Sequence, residues 1–273
     1  MKTKTYVITG ATSGIGKKLV EILAKDNIVF AGYRSEKKCE ELKKISDNIC
    51  PFYVDFAVPE TISSAVSFIK SKTSKVDSLI NIAGCVVAGP AEKVLMSEVR
   101  RQFDVNVFGH LEISQGLADL LANGKIINVS SMASYAIFPF ISPYCASKRA
   151  LDIFFNSFLI ENKKNIKVVS IKPGVISTPL WGKSIEENTK TLDACQGYEK
   201  EMDFIASNAR KNEKKGLDVN EVVKIILKAD EAENPKLSYT VGKDAFCAHI
   251  VSKLPQCMIN KIIKLGMKLR MHN

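Results

Sequence analysis

The sequence predicts an α/β fold built on a doubly wound parallel sheet, and three observations support this prediction. Short runs rich in β-branched residues alternate with longer segments that carry apolar residues at helical spacing. The runs are apolar along their length, as strands that are covered on both faces are. The alternation of strand and helix indicates parallel pairing through right-handed crossovers. Ligands of such a sheet lie beyond the carboxyl ends of its strands.

The individual elements follow one another in a regular order. Glycine ends the first apolar run, and the amphipathic stretch "GKKLVEILAKD" follows it as the first helix. Further helices are predicted from Glu36, from Pro59 to Lys72 and from near Ser97. The predicted strands are residues 5–10, 27–34, 49–55, 77–84, 124–131, 166–174 and 237–242.

The length and composition fit a single large domain. The chain has 273 residues, of which 46% are hydrophobic and 25% are charged, so it can bury a substantial core. No change of composition typical of a linker divides it. We therefore expect one domain over residues 1–243, with a substrate lid at about 179–216 and an amphipathic helical extension at 244–273.

Cysteine usage and hydropathy favour a cytoplasmic protein. No apolar run reaches the length of about 18 residues that a membrane span needs, and the apolar stretch at the start is too short for a secretion signal. The seven cysteines are scattered without a CxxC pair, which favours free thiols in a reducing compartment. The three histidines are far apart in the sequence, so we expect no metal site.

The formal net charge of +10 permits nucleic-acid binding as one interpretation. However, the lysines are spread along the chain and form no basic run interleaved with aromatic residues. A solvated, lysine-rich surface is the better interpretation, and we expect no nucleic-acid partner.

The turn after the first strand has the composition of a phosphate-binding loop. It reads "TGATSGIG" at residues 9–16. Gly10 permits a tight turn, Gly14 lets a phosphate approach the backbone, and Gly16 allows close packing of the helix. The N-terminus of that helix offers free N–H groups and a positive dipole end to a pyrophosphate.

Several further motifs occur in a fixed order after this turn. They are Asp55, "NIAG" at 81–84, Asn106, Ser131, "YCASK" at 144–148 and "PGVIST" at 173–178. Together with the glycine-rich turn they resemble the short-chain dehydrogenase/reductase family over nearly the whole chain. The resemblance implies a Rossmann-type fold and an NAD(P)-dependent oxidoreductase that acts on CH–OH groups. One departure is Ile82, where the family usually has a second asparagine, and it bears on local packing more than on activity.

The resemblance also implies roles for four residues. Tyr144 is the expected acid and base, although a phenol with a pKa near 10 is too weak an acid for neutral pH. Lys148 lies one helical turn away, and its charge, with that of the oxidised nicotinamide, is expected to lower this pKa. Ser131 would hydrogen-bond the substrate oxygen as charge develops on it. Asn106 would anchor a water that passes protons toward Lys148.

The cofactor is expected to be NADP(H) in preference to NAD(H). Tyr33 stands where NAD-binding members commonly have an acidic residue, and Arg34 beside it is well shaped to bind a 2′-phosphate. Ser13 lacks the extra basic residue that some NADP-binding members carry. The resemblance places the following residues at the cofactor: Gly10, Thr12, Ser13, Gly14, Ile15, Gly16, Tyr33, Arg34, Asp55, Asn81, Ala83, Gly84, Tyr144, Lys148, Pro173, Gly174, Ile176 and Thr178.

The expected substrate is a lipophilic alcohol or ketone of steroid, retinoid, aromatic or fatty type. Phe140, Leu180 and Trp181 are predicted to line an apolar pocket in which Ser131 and Tyr144 are the polar anchor. The same residues would also serve a 3-oxoacyl-thioester reductase. An alternative of another class is a catalytically silent protein that binds NADP(H) as a sensor, although such a protein usually loses the tyrosine or the lysine.

The C-terminal tail is basic and amphipathic. Ile259, Ile262, Ile263 and Leu265 can share an apolar side, and Lys261, Lys264, Lys268 and Arg270 lie around it. The tail could dock on the domain or on a second subunit and cap the substrate site, or it could make weak peripheral contact with an anionic membrane. Family members often pair through two long helices, so a homodimer or homotetramer is expected by resemblance.

Overall fold

The fold is a seven-stranded parallel sheet covered by helices on both faces, as the sequence predicts. The computed structural model describes the backbone of residues 3–192 and 195–271 and the side chains of 3–187 and 195–267. The strand order is β3-β2-β1-β4-β5-β6-β7, and every neighbouring pair is parallel. The strands are β1 (Thr5–Ile8), β2 (Ile28–Tyr33), β3 (Ile49–Tyr53), β4 (Ser78–Asn81), β5 (Lys125–Val129), β6 (Lys167–Pro173) and β7 (Ser238–Val241).

Helices connect the strands and add a lid and a tail. The connecting helices are α1 (Gly14–Leu23), α2 (Glu36–Lys43), α3 (Pro59–Lys72), α4 (Met96–Phe103), α5 (Gly109–Leu117), α6 (Ser142–Glu161) and α9 (Val219–Glu231). The segment between β6 and α9 forms α7 (Leu180–Leu192) and α8 (Glu199–Lys215), and the tail forms α10 (Lys243–Val251) and α11 (Gln256–Met271). The predicted domain boundary at residue 243 falls just after β7 and stays a prediction.

Alternation along each strand explains why the sheet is buried on both faces. Ile8 and Ile80 point into the layer formed with α1 and α9, whereas Val7 and Leu79 point into the layer with α3, α5 and α6. All four side chains are fully buried. A strand whose successive residues enter two different cores must be apolar throughout, because side chains alternate between faces.

The strand order reverses between β1 and β4. From β1 the chain winds outward through β2 and β3, and it then crosses back to β4 and continues to β7. The connections leave a crevice at the carboxyl ends of β1 and β4, where they depart in opposite directions. The glycine-rich turn follows β1 directly and therefore lies at this crevice.

The long helix predicted from near Ser97 is interrupted. It begins at Met96, changes to a π-helical turn over Asp104–Phe108 and continues as α5. Asn106 lies in this turn. Such turns insert one residue into a helix and are common at functional sites.

The tail packs on the domain with only part of the predicted apolar side. Ile259 is buried and Ile263 is partly buried, but Ile262 and Leu265 are exposed. The side chains of Lys268 and Arg270, lid residues 188–194 and His272 lie outside what the structure describes in full. Within the described chain, no helix is long and apolar enough to cross a membrane.

Candidate active site

One large cavity lies at the carboxyl ends of the strands. Its volume is about 1000 Å³. Residues that directly follow six successive strands line it, and they are Gly10, Arg34, Asp55, Ala83, Ser131 and Gly174. The lid helices α7 and α8 and the tail helices α10 and α11 complete its wall. The cavity therefore lies at the crevice of the sheet and beneath the helices of the predicted lid.

The glycines of the first turn are required by close contacts. Gly10 has φ +65°, and a Cβ there would lie 2.9 Å from the Ala83 nitrogen. Gly14 has φ +50°, and its Cβ position is 3.2 Å from Thr178 Cγ2. A Cβ on Gly16 would overlap the Gly10 carbonyl oxygen. Side chains would thus both strain the backbone and fill the space against which a ligand must lie.

The N-terminus of α1 points its free amides at this space. Its first turn holds no acidic residue, and the Ser13 side chain makes no capping hydrogen bond. Thr12, Ser13, Gly14 and Ile15 all line the cavity. Unsatisfied N–H groups and the positive end of the helix dipole suit a dinucleotide pyrophosphate. The residues present therefore fit this part of a nicotinamide dinucleotide.

Helix α6 places the tyrosine and the lysine on one buried face. Tyr144 is 9% exposed and Lys148 is 4% exposed. The Lys148 Nζ lies 5.9 Å from the centroid of the Tyr144 ring and donates to the Val129 carbonyl oxygen at 2.9 Å. Ser131, just after β5, hydrogen-bonds the Tyr144 phenol. The three predicted catalytic side chains are thus brought together at one wall of the cavity.

Asn106 supports this group from behind the cavity wall. Its Oδ1 accepts from the Cys85 amide at 2.9 Å, and its Nδ2 donates to the Cys85 carbonyl and to Ser147 Oγ, both at 3.0 Å. A Cβ on Gly84 would lie 3.3 Å from Asn106 Oδ1 and 3.7 Å from Lys148 Nζ. Asn106 therefore fixes the segment after β4 against α6, and its role in a water relay stays a prediction.

Comparison with known proteins identifies the family. The model of the short chain dehydrogenases matches residues 4–189. The chain is 30% identical to an NADPH-dependent 3-dehydrocapnine reductase of Ornithobacterium rhinotracheale, over 96% of both chains. It is also 30% identical to the NADPH-dependent 1-acyldihydroxyacetone phosphate reductase of Saccharomyces cerevisiae, over 76% of this chain and 71% of that one.

The chain belongs to the short-chain dehydrogenase/reductase family. It is accordingly an NAD(P)-dependent oxidoreductase. Solved structures of similar fold include a short-chain dehydrogenase of Burkholderia cenocepacia with NADP, at a TM-score of 0.74 and 22% identity over 96% of this chain and 98% of that one. Another, from Burkholderia phymatum with NAD, has a TM-score of 0.80 and 17% identity over 92% of both chains.

Burial shifts the pKa values of Tyr144 and Lys148 in this short-chain dehydrogenase. Burial raises the pKa of Tyr144 to about 12, and the Ser131 hydrogen bond offsets only part of that rise. Burial also lowers the pKa of Lys148 to about 8. The expected lowering of the Tyr144 pKa includes the charge of the oxidised nicotinamide as well as that of Lys148, so it stays a prediction for the cofactor complex, and burial dominates in the protein alone. The reason is that removal from water penalises both the phenolate and the ammonium ion.

Most residues that the resemblance assigns to the cofactor line the cavity. Those that do are Gly10, Thr12, Ser13, Gly14, Ile15, Tyr33, Arg34, Asp55, Ala83, Gly84, Tyr144, Lys148, Pro173, Gly174, Ile176 and Thr178. Gly16 instead packs α1 against the turn. Asp55 also accepts from the Ala57 amide at 3.0 Å, so it serves as a turn residue as well.

Asn81 does not reach the cavity. It is 1% exposed, and its amide donates to Asn128 Oδ1 at 2.9 Å on the neighbouring strand. The Asn81 side chain therefore joins β4 to β5, and the expected contact of the backbone from Asn81 to Gly84 with the adenosine ribose stays a prediction. His110, which the sequence did not single out for this site, approaches the Ala83 carbonyl with Nε2 at 2.8 Å, and burial lowers its pKa to about 3. A neutral His110 thus positions the segment after β4.

Apolar residues form the other half of the cavity. Phe140, Leu180 and Trp181 line it as predicted. The Trp181 indole donates to the Ile176 carbonyl at 2.9 Å, which fixes the start of the lid to the loop after β6. The lid and the tail contribute further apolar residues that the sequence analysis did not assign to the pocket, namely Met202, Phe204, Ile205, Ile259, Ile262 and Ile263.

Sequence reasoning missed a buried ion pair behind Lys148. Asp152 lies one further turn along α6, and its Oδ2 is 2.8 Å from the Nζ of Lys172 on β6. Both side chains are at most 10% exposed. The Asp152 charge raises the pKa of Lys148 against the larger effect of burial. The spacing of Tyr144, Lys148 and Asp152, each four residues apart, was the available signal.

We expect this pair to set the pH at which Lys148 loses its charge. Asp152→Asn removes a negative charge, so the pKa of Lys148 should fall below about 8. Lys172→Met leaves the Asp152 charge uncompensated, so the pKa should rise. If Lys148 takes part in turnover as the resemblance implies, activity should decline as pH rises through this pKa, because the lysine then loses its positive charge. The pH profiles of kcat/KM should therefore move in opposite directions in the two variants.

Thermal unfolding of each variant serves as the control for these profiles. Profiles that move in the same direction, or not at all, would show that the pair acts only on the stability of the fold.

Proposed function

We propose that this protein is an NADP(H)-dependent oxidoreductase that interconverts a secondary alcohol and a ketone or aldehyde on a lipophilic substrate. One observation carries the proposal: Tyr144, with Ser131 at its hydroxyl, lies where the polar, glycine-lined half of the cavity meets its apolar half. A carbonyl group in the apolar half can then approach a proton donor beside the cofactor half.

The chain's own side chains would carry the proton and stabilise charge. The nicotinamide, when bound, supplies or accepts the hydride at the carbonyl carbon. In reduction, Tyr144 donates its phenolic proton to the substrate oxygen, and Ser131 hydrogen-bonds the same oxygen as negative charge develops on it. Lys148, held by the Val129 carbonyl, stabilises the phenolate that remains. One hydride and one proton thus convert a ketone to an alcohol.

In the free protein Tyr144 is protonated but is a weaker acid than an ordinary phenol. A pKa of about 12 keeps Tyr144 protonated at neutral pH, which is the form that donates. Oxidation needs the phenolate, and the positive charge of an oxidised nicotinamide would have to lower this pKa first. We therefore propose that Lys148 and the charge of a bound cofactor lower the pKa of Tyr144 for turnover in either direction, because a phenol with a pKa of about 12 is a weaker acid than an ordinary one.

The preference for NADP(H) rests on the end of β2. Arg34 is exposed, lines the cavity and makes no ion pair with any residue that the structure describes. Tyr33 beside it replaces a carboxylate that would repel a 2′-phosphate. Both relatives named above are NADPH-dependent, whereas structural neighbours bind NADP or NAD. A guanidinium that lines the cavity and makes no ion pair among the described residues supports NADP(H) here.

A lipophilic substrate is supported by the composition of the cavity wall. Its substrate half is lined by aromatic and aliphatic side chains from the lid, the tail and the segment before α6. Burying apolar substrate surface there is favourable, although the lid residues Lys183, Glu187 and Glu201 also line the cavity. One relative acts on an acylated substrate by its name.

Self-association and cellular location remain predictions. The outer face of α6 exposes Ile153, Phe154 and Ile160, the last at 84%. This apolar face fits the pairing of long helices that the family resemblance implies, and we propose a homodimer or homotetramer on that basis. A cytoplasmic location stays a prediction from cysteine usage.

Tyr144→Phe should abolish turnover while leaving the fold and cofactor binding intact. The phenyl ring fills the same space but has no proton to donate, so we expect kcat to fall by about 10²-fold or more. The measurement is a spectrophotometric screen of hydroxysteroids, retinoids, aromatic and aliphatic ketones and a 3-oxoacyl thioester with NADPH. Tyr239→Phe, outside the cavity, is the matched control. Equal turnover by both variants would sink the assignment of Tyr144 as the acid.

Arg34→Ala should reduce the preference for NADPH over NADH. Loss of the guanidinium removes charge-assisted hydrogen bonds to a 2′-phosphate, so the Kd for NADPH should rise about tenfold or more and that for NADH should change little. Fluorescence titration of the wild type and the variant measures both constants. Arg100→Ala, another exposed arginine, controls for net charge. A wild type that binds NADH as tightly as NADPH contradicts the proposal.

A further inference from the structure

The tail helix α11 has two apolar sides, of which only one packs on the domain. Ile259 is 6% exposed, and together with Ile263 it lines the cavity. The other side carries Met258, Ile262 and Leu265, which are 48%, 49% and 60% exposed. These three residues are spaced by four and three positions, so they form one stripe along the helix. We call this stripe the outer face of α11.

The preceding helix exposes apolar residues as well. Phe246 and Ile250 are one turn apart on α10 and are 57% and 53% exposed. Leu254, in the turn between the two helices, is 37% exposed. Single exposed apolar residues are ordinary, but six in one short helical pair are unusual for a surface that faces only water.

The charged side chains of the tail from residue 245 onward have a single sign. The sequence from 245 to 273 contains no aspartate or glutamate, but it contains Lys253, Lys261 and Lys264, with Lys268 and Arg270 further on. The first three lysines are exposed. They form no ion pair with the part of the chain that the structure describes. Lys261 and Lys264 flank the outer face of α11 on one side, and the domain lies on the other.

The surface also borders the opening of the cavity. Ile262 and Cys247 line the cavity and are exposed at the same time, so its wall meets the solvent at these residues. Ile137, before α6, is 46% exposed and likewise lines it. An apolar ligand that left this opening would meet the outer face of α11 first.

We propose that the outer face of α11 binds the surface of an anionic lipid bilayer, and that lipophilic substrate enters the cavity from that bilayer. The apolar stripe would lie at the level of the acyl chains, and Lys261 and Lys264 would contact the phosphate groups beside it. The route of entry rests on the proposed function, but binding to the bilayer does not.

Charge complementarity favours a bilayer over a second copy of the chain. A twofold pairing through this face would bring the lysines of both copies close together with no carboxylate from residues 245–273 to compensate them. An anionic surface instead meets every exposed lysine with opposite charge. An interfacial helix with one packed side, one apolar side and flanking lysines fits the boundary between headgroups and acyl chains.

Vesicle flotation of the full chain tests the proposal without any substrate. The vesicles are phosphatidylcholine alone and phosphatidylcholine with phosphatidylglycerol, each at low and high salt. One variant, Lys261→Glu/Lys264→Glu, reverses charge on this face, and another, Met258→Ser/Leu265→Ser, removes its apolar stripe without touching the cavity wall. Lys70→Glu/Lys72→Glu on α3 is the control with the same change of net charge.

We expect the wild type and the α3 control to float with anionic vesicles at low salt. The partition coefficient should fall at least tenfold in both α11 variants, because each lysine and each buried apolar side chain contributes separately. NADPH binding should be unchanged in all of them, which shows that they fold. Flotation that is absent in the wild type, or equal in all variants, overturns the proposal. Concentration-dependent self-association that the α11 variants lose, without flotation, would also overturn it and assign the face to a second copy.

Discussion

The buried ammonium group of Lys148 is the interaction on which the arrangement of the site depends. Its Nζ donates a hydrogen bond to the Val129 carbonyl oxygen at the end of β5, and the negative charge of Asp152 on the same helix stabilises its positive charge. A charge this deep costs free energy unless it is paired or hydrogen-bonded, so the position of α6 against β5 and β6 is constrained by it. Tyr144 is placed one turn away by the same helix. The position of Tyr144, the proposed acid, therefore follows from the hydrogen bond and the charge that hold Lys148.

The parallel sheet brings the other residues of the site next to Tyr144 and Lys148. Parallel strands deliver their carboxyl ends to one edge, so a glycine turn, an arginine, an aspartate and a serine that are distant in sequence line one cavity. The two-sided burial of the strands keeps this edge rigid, whereas the lid and tail helices close over it with fewer buried residues. The half of the cavity made by strand ends is polar and shaped for a dinucleotide. The half made by the lid and tail is apolar, and it would set the choice of substrate.

Much of the fold, and the proximity of the expected catalytic side chains, could be predicted from the sequence because their signals are local. Each strand is an apolar run bounded by turn residues, and Tyr144 and Lys148 share a helical face by spacing alone. Contacts between distant elements carry no such signal. The pairing of Asp152 with Lys172, the burial of Asn81 and the π-helical turn at Asn106 depend on what packs beside each element. The rise in the pKa of Tyr144 was missed for the same reason, because burial depends on the tertiary structure.

The most direct test is the pH titration of Tyr144, which measures how burial and a bound NADP⁺ change the pKa of this phenol. Tyrosinate absorbance would be followed for the wild type and for Tyr144→Phe, each with and without NADP⁺, and the difference between the two proteins reports this one phenol. We predict no titration of Tyr144 near its ordinary pKa in the free protein, and a pKa lower by about one to three pH units when NADP⁺ is bound beside it. A Tyr144 that titrates below 10 in the free protein would contradict the effect of burial. A Tyr144 pKa that NADP⁺ leaves unchanged would contradict the effect of the cofactor's charge.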